Sequence, residues 1–393
     1  MKKNIVLIFI NTLLLVIVIE VFLGFLRDFK MKKEYDKYIE LKVKNKVYSN
    51  LSPEQVKGLY YEHIELQTKW SPYTHFELKK YTGKYNNIDS LGHRKTLSFY
   101  KDSSSSIKIF CFGGSTMYGI GTKDENTIPS TLAKVLKNKI PSKKFTITNF
   151  GLPGYTNDLE ILQLRKELIK GNIPDIVIFY DGVNEVISAY QNNKIGVPFN
   201  CFNRKIEYNT HKEYLKKIRL FLKTSNIYNF IKYLKKKTGV NPNNVKDLID
   251  NDLLSRQIVH NYKFNLTTSD SYAKSYNFKV FNFLQPIIFT NKKLSKYESF
   301  MAKNEKYYKK LFIKSYDLFK LDTTLNKNIT FNNLSNIFNK INTEKTVYAD
   351  FCHLVKEGNE IIAKNMANHI INHLNKNVTD ITINETFKTE YIQ

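Results

Sequence analysis

The chain has 393 residues and a formal net charge of +25, with 42% hydrophobic and 25% charged residues. This balance excludes a disordered chain, because such a composition buries enough apolar surface for one large domain or two small ones. The lysines are spread along the chain rather than massed in one arm. An anionic membrane or an acidic polymer therefore fits the charge better than nucleic acid, and we expect no nucleic acid partner.

Neither the cysteines nor the paired histidines of the sequence predict a metal site. Cys111, Cys201 and Cys352 have neither metal-ligand spacing nor the pattern of a disulfide framework. His369 and His373 lie four residues apart, but no acidic motif accompanies them, which favours a solvated helix face. We expect no metal and no cofactor.

An almost wholly apolar run from Ile5 to Leu26 opens the chain, preceded by Lys2 and Lys3. At about 22 residues it is long enough to cross a bilayer as a helix. No Ala-x-Ala cleavage pattern follows, so residues 1–30 are interpreted as an uncleaved signal anchor, with a buried core helix as the alternative. Basic residues flank both ends and leave the orientation open, although we expect the main domain on the extracytoplasmic side.

A polar, aromatic-rich lead-in at residues 31–106 connects the anchor to the main domain. Its single tryptophan, Trp70, is expected to pack the lead-in onto that domain. Arg94 has two open interpretations, framing the active site or packing the lead-in.

The apolar run from Ile107 to Phe112 predicts a buried strand, and Gly113-Gly114-Ser115 follows it directly. Two glycines allow a sharp turn, and a serine on such a turn is presented to substrate and to a base. Ser115 is therefore a candidate nucleophile, although Gly-Gly-Ser alone is also common in plain connecting loops.

Further strands alternate with helices along the chain. A helix begins near Pro129, a strand spans Phe145 to Asn149, and the run Asp175 to Tyr180 is another buried strand. Asn157 and Glu160 have capping-box spacing for a helix that ends before Gly171. The alternation predicts a doubly wound α/β fold with a parallel sheet.

The main domain is predicted at 107–378, with a long insertion at about 190–345 and a tail at 379–393. Within or near the insertion, helices are predicted at 212–223 and 227–237 and a core strand at 280–284. Thr346 to Tyr348 is predicted as the last strand, before a helix from about Glu357 to Leu374.

Three predicted turns, those with Ser115, Gly154 and Asn184, lie at the carboxyl ends of strands, where sites form in parallel sheets. A serine nucleophile needs an imidazole base, and His353 alone has a carboxylate, Asp350, three residues earlier on a loop after a strand. Backbone N–H groups of Ser115 and Gly154 and the Asn184 amide are candidate oxyanion donors, each contributing roughly 3 kcal/mol.

Four segments carry these residues: Phe-Gly-Gly-Ser115-Thr, Asn-Phe-Gly-Leu-Pro-Gly154-Tyr-Thr, Asp-Gly-Val-Asn184-Glu and Asp350-x-x-His353-Leu. In this order they resemble the blocks of the SGNH (GDSL-type) hydrolase family. The resemblance spans Ile107 to about Tyr190 and Val347 to about Leu374.

The resemblance implies a flavodoxin-like three-layer α/β/α sandwich that hydrolyses or transfers acyl esters. It also implies Ser115 as nucleophile, His353 as base, Asp350 as its orienting partner, and Ser115, Gly154 and Asn184 as the oxyanion hole. The sequence departs from the family at two positions: Gly114 and Glu185 stand where many members have Asp.

Several functions are compatible with these residues. The leading hypothesis is a membrane-anchored serine esterase acting on small acyl esters such as acetyl groups on a cell-surface polysaccharide. O-acyl transfer to a glycan would use the same site, and a lipase stays open. A non-catalytic glycan-binding or assembly protein on the same scaffold is the alternative from another class.

Overall fold

The structure is a computed structural model that describes residues 2–100, 105–199, 201, 222–237, 250–290, 293–305, 307–341 and 345–390. For residues 2–3, 235–237 and 376–390 only the backbone is described. The chain divides into two compact units, one of residues 1–44 and 200–249 and the other of residues 45–199 and 250–393.

The helices and strands follow one another in the order that the sequence patterns lead one to expect of an α/β protein. The helices are α1 (Lys2–Lys44), α2 (Pro53–Glu65), α3 (Ser115–Tyr118), α4 (Ile128–Lys139), α5 (Asn157–Ile169), α6 (Val183–Asn192), α7 (Asn226–Lys237), α8 (Asn251–Tyr276), α9 (Lys296–Asn304), α10 (Lys309–Leu321), α11 (Thr323–Lys327) and α12 (Lys356–Glu390). The strands are β1 (Thr68–Ser71), β2 (His75–Leu78), β3 (Tyr81–Thr82), β4 (Asn87–Ile88), β5 (Ile107–Gly113), β6 (Phe145–Asn149), β7 (Ile176–Asp181), β8 (Lys279–Leu284) and β9 (Phe331–Asn333).

The smaller unit is built on α1. Its span from Asn4 to Lys44 contains an 18-residue window of mean hydropathy 2.9, none of which is buried. By length and composition this helix is a candidate membrane anchor or signal sequence. Helix α1 continues to Lys44, past residue 30, where the anchor was predicted to end. The domain boundaries given above stay a prediction.

The larger unit contains a five-stranded sheet in the order β6-β5-β7-β8-β9, in which every neighbouring pair is parallel. Helices α4 and α12 pack on one face through residues such as Leu136 and Met366, against Cys111 and Ile178 of the sheet. Helices α5 and α8 cover the other face. The predicted α/β fold with a parallel sheet is confirmed, and its layers are helix, sheet and helix.

The edge of the sheet differs from the prediction. Thr346 to Tyr348 is not a strand, because only Tyr348 forms a bridge there, antiparallel to Leu354. The fifth strand is instead β9, an Asn-containing segment of three residues that pairs with β8. So short and polar a segment lacks the apolar run that identifies strands in a sequence. Most of the helix predicted at 212–223 lies outside the described residues.

Of the two lead-in residues singled out in the sequence, Trp70 is exposed and Arg94 is buried. Trp70 is 65% exposed on the β1–β2 hairpin, so the expectation that it packs the lead-in onto the domain is wrong. Its ring meets that of His75 of the same hairpin edge-on, with centroids 5.9 Å apart.

Arg94 is buried and packs the lead-in against the turn that follows α3. Its Nε donates to Asp124 Oδ1 at 2.9 Å, and its Nη1 and Nη2 donate to the carbonyls of Gly119 at 2.5 Å and Thr122 at 2.6 Å. The guanidinium also lies 4.8 Å from the centre of the Tyr118 ring. Of the two interpretations of Arg94, packing is the one that the contacts support.

Replacing Arg94 with alanine should destabilise the protein by about 3 kcal/mol, because Asp124 would lose its ion-pair partner and the carbonyls of Gly119 and Thr122 would each lose a buried donor. The measurement is chemical unfolding, with the exposed Arg165→Ala as a control that should stay near wild type. Equal stability of the two variants would contradict the role given to Arg94.

Candidate active site

Ser115 begins the one-turn helix α3 directly after β5, so its side chain is held at the carboxyl edge of the sheet. Its Oγ lies 2.7 Å from His353 Nε2, although the two residues are 238 positions apart in the chain. This distance is that of a hydrogen bond in which the hydroxyl donates to the imidazole. The structure therefore brings together the first two residues that the sequence singled out.

Asp350 organises the loop that carries His353. Its carboxylate accepts the backbone N–H groups of Cys352 at 3.0 Å and His353 at 2.9 Å. The same carboxylate accepts from His353 Nδ1, at 2.8 Å through Oδ2. A proton on Nδ1 leaves Nε2 free to accept from Ser115, which is the tautomer that a general base requires.

The insertion contributes a support that sequence reasoning missed. The buried Glu298 of α9 accepts the backbone N–H groups of Val347 at 2.8 Å and Tyr348 at 3.1 Å. Tyr297 donates its hydroxyl to the carbonyl of Ala349 at 2.5 Å. These bonds hold the chain just before Asp350. The signal in the sequence was Ser295 and Glu298, which form a capping box at the start of α9.

Asn184 lies against the nucleophile turn. Its Nδ2 donates to the carbonyl of Tyr155 at 2.5 Å, which leaves the second amide hydrogen available. A Cβ added to Gly114 would lie 2.1 Å from that same Nδ2. No side chain fits at position 114 while Asn184 keeps this place. This gives a physical reason for the first departure from the family pattern, glycine where many members have Asp.

Gly154, the third predicted oxyanion donor, lies on a loop next to the strand that leads to Ser115. Its φ of +83° is a left-handed conformation that favours glycine. The loop before it is tied to the nucleophile strand, because Leu152 N donates to the carbonyl of Gly113 at 3.0 Å. The loop also contacts Asn184 through Tyr155, so the three predicted donors border one region of the sheet edge.

Glu185 of α6 joins the start of its own helix, which carries Asn184, to the start of α5, which follows the Gly154 loop. Its Oε1 accepts the backbone N–H of Asn157 at 2.7 Å, and its Oε2 accepts that of Gly182 at 2.7 Å. One carboxylate thus satisfies the N-terminal N–H groups of both α5 and α6.

The capping box expected from Asn157 and Glu160 is wrong. The N-cap of α5 is Thr156, and Asn157 donates its amide to Asp181 Oδ2 at 2.6 Å instead. Glu160 is fully buried, with the carboxyl group of Asp181 beside it. Burial, together with Asp181 and Glu185 nearby, raises the pKa of Glu160 well above its usual range.

His63 of α2 lies close to the candidate site, and the sequence analysis did not single it out. Its ring lies 5.9 Å from that of Tyr118 on α3, and burial together with the charges of His353 and Arg94 lowers its pKa to about 4. It is therefore neutral at pH 7. Its position three residues after the buried Tyr60 continues the apolar face of α2, and this spacing was the available signal.

Metal-ligating groups come together once in the described part of the chain, at Asp350, Cys352 and His353, whose ligand atoms lie within 4.8 Å of one another. Both ring nitrogens of His353 are already used by Asp350 and Ser115. His369 and His373 lie beside Phe281 of β8, each with ring centroids 6.2 Å from it. They are half-buried against the sheet, and the expectation of a solvated helix face is wrong for them.

No protein-family model matches the sequence, and no curated protein matches it. Solved structures that match include the acetyl xylan esterase AlAXEase, at a TM-score of 0.38 and 16% identity over 66% of this chain and 98% of that one. The esterase EstA from Pseudoalteromonas sp. matches at a TM-score of 0.34 and 12% identity over 69% of this chain and 100% of that one.

A further match is a protein from Desulfitobacterium hafniense described as lipolytic and of the G-D-S-L family. Its TM-score is 0.33 and its identity 12%, over 67% of this chain and 99% of that one. At this level of similarity, the function has to be argued from the residues of this chain.

Replacing Gly114 with alanine should displace the Asn184 amide and lower kcat by about 10²–10³, the cost of losing one oxyanion donor. The melting temperature should change little, because the clash is with one side chain. The decisive measurement is a double-mutant cycle with Asn184→Ala, in which Gly114→Ala should cost almost nothing further. Losses that multiply in the double variant would contradict this explanation.

Replacing Glu160 with glutamine should make stability less dependent on pH. A carboxyl whose pKa is raised by folding stabilises the protein below its unfolded pKa and loses this contribution as pH rises through its folded pKa. The loss is about 1.4 kcal/mol for each pH unit that separates the folded from the unfolded pKa. We therefore expect the wild-type melting temperature to fall above the ordinary glutamate range and that of Glu160→Gln to fall less. The exposed Glu125→Gln is the control and should keep the wild-type slope.

Proposed function

We propose that this chain is a membrane-anchored serine esterase with Ser115 as nucleophile, His353 as general base and Asp350 as the group that orients it. The observation that carries this proposal is the continuous chain of hydrogen bonds from Ser115 Oγ through the imidazole to the Asp350 carboxylate. Ser115 and the His353–Asp350 pair, which is more than 230 positions further along the chain, are held in the order that nucleophilic catalysis requires.

In the proposed reaction Ser115 Oγ attacks the acyl carbon while its proton passes to His353 Nε2. Asp350 stabilises the imidazolium that forms. The negative charge on the carbonyl oxygen is accommodated by the N–H groups of Ser115 and Gly154 and the amide of Asn184. The ester C–O bond then breaks, and the leaving alkoxide takes the proton from His353. A water molecule next attacks the acyl carbon while its proton passes to His353. The bond to Ser115 Oγ breaks, the serine takes the proton back, and the carboxylic acid is released.

The site and the apolar helix support the substrate class that we propose. An acyl ester is the substrate that this nucleophile and these donors fit. As an anchor, α1 would keep the enzyme at a membrane surface, with the larger unit on the extracytoplasmic side. We propose acetyl or other small acyl esters on a cell-surface polysaccharide as the substrate there.

Ser115→Ala in the full chain should lose about 10⁶-fold in turnover of p-nitrophenyl acetate, because the nucleophile itself is removed. The exposed Ser98→Ala is the matched control and should retain wild-type turnover. A fluorophosphonate probe should label the wild type at Ser115 and fail to label the alanine variant. Folded wild-type protein that takes no label would favour the non-catalytic alternative, and equal turnover of both variants would rule out the role of Ser115.

A further inference from the structure

Helix α7 lies against the apolar helix α1 within the smaller unit, and it touches α1 at a carboxylate. Glu20 interrupts the apolar run of α1 about 9 Å, or six residues, before the run ends at Leu26. Its Oε1 accepts the backbone N–H of Asn226 and its Oε2 accepts that of Ile227, the latter at 2.9 Å. The carboxylate thus caps the first turn of α7.

Two more contacts fix the place of this first turn on α1. Arg27 donates to the Asn226 side-chain oxygen at 2.8 Å, and the Asn226 amide donates to the carbonyl of Glu20 at 3.1 Å. A Cβ added to Gly24 would lie 2.9 Å from Asn226 Nδ2, so the two helices approach closely there. Seven residues later, Tyr233 lies under Lys30 Nζ, with 4.7 Å to the ring centre. Helix α7 therefore runs beside the final part of the apolar run and continues past its end.

We propose that α7 is a second membrane-binding element, which runs along α1 from the edge of the hydrocarbon into the headgroup layer of the bilayer, with its first turn held by Glu20. This inference rests on the membrane anchor of the proposed function. A carboxylate and the free N–H groups of a helix are each costly in hydrocarbon, and each satisfies the other here. In water both would be hydrated at little cost, so the contact matters most where water is scarce.

The surface of α7 fits lipid in the same way. Phe230, Ile231 and Leu234 are exposed by 44%, 46% and 43%, beside the exposed apolar side chains of α1. Tyr228 and Tyr233 are also exposed, and tyrosine is enriched at the membrane–water boundary. The helix ends in Lys235-Lys236-Lys237, beyond the level of Lys30. A basic, aromatic helix of this kind binds an interface that carries anionic lipid.

The same contacts bear on whether α1 is cleaved as a signal sequence or retained as an anchor. A signal sequence that is removed would leave the N-terminus of α7 without the Glu20 carboxylate and its exposed apolar side chains without their neighbour. An anchor that is retained keeps both. The structure of the smaller unit thus favours a retained helix over a cleaved one.

The test uses the single tryptophan of the chain. With Trp70→Phe as background, Phe230→Trp reports on α7 and Leu15→Trp reports on the anchor, while native Trp70 reports on the surface of the larger unit. The full chain is reconstituted in vesicles of phosphatidylcholine and phosphatidylglycerol that carry brominated acyl chains. We expect tryptophan at positions 15 and 230 to lose most of its emission and Trp70 to lose little.

Glu20→Leu should restore much of the emission at position 230 and leave that at position 15 quenched, because the span remains apolar while the cap of α7 is lost. Quenching at 15 but not at 230 would overturn this inference and leave the anchor intact. Loss of acrylamide access at 230 without lipid quenching would indicate a protein partner and would also overturn it. Quenching at neither position would overturn the anchor as well, whereas turnover of p-nitrophenyl acetate tests the esterase separately.

Discussion

The candidate site depends on one carboxylate that lies behind it. Glu185 accepts one N–H from the start of α5 and one from the start of α6. Helix α5 follows the loop that carries Gly154, and α6 carries Asn184 in its first turn. The N-terminus of a helix is the positive end of its dipole and favours an acceptor such as this carboxyl group. By bonding to both helix starts, Glu185 keeps the two segments side by side.

Much of this organisation could be predicted from the sequence, because its signals are local. The apolar runs of β5 and β7 identify buried strands, and the residues just after them identify the edge where a site forms. His353 was found through Asp350, three residues away, and the structure joins the pair at 2.8 Å. Strand β9 was missed because it has no such local signal. β9 is only three residues long and contains two asparagines.

The remaining differences arise where a polar side chain has a choice of distant partners. Asn157 and Glu160 have the spacing of a local helix cap. In the structure, however, the Asn157 side chain donates to Asp181 and its backbone N–H donates to Glu185. Arg94 was ambiguous because its partners, at Gly119 and Thr122, are loop carbonyls with no sequence pattern. Glu298 supports the His353 loop from an insertion whose role no motif predicts.

The buried position of Arg94 sets a limit on how the protein can be shortened. The residue precedes β5 in the chain, yet its guanidinium fills the space beneath the turn after Ser115. A version trimmed to begin at the first sheet strand would leave that space open and the nucleophile turn unsupported. A fragment without α1 should therefore begin near Asn45, where the larger unit starts, so that the part of the lead-in that carries Arg94 is kept.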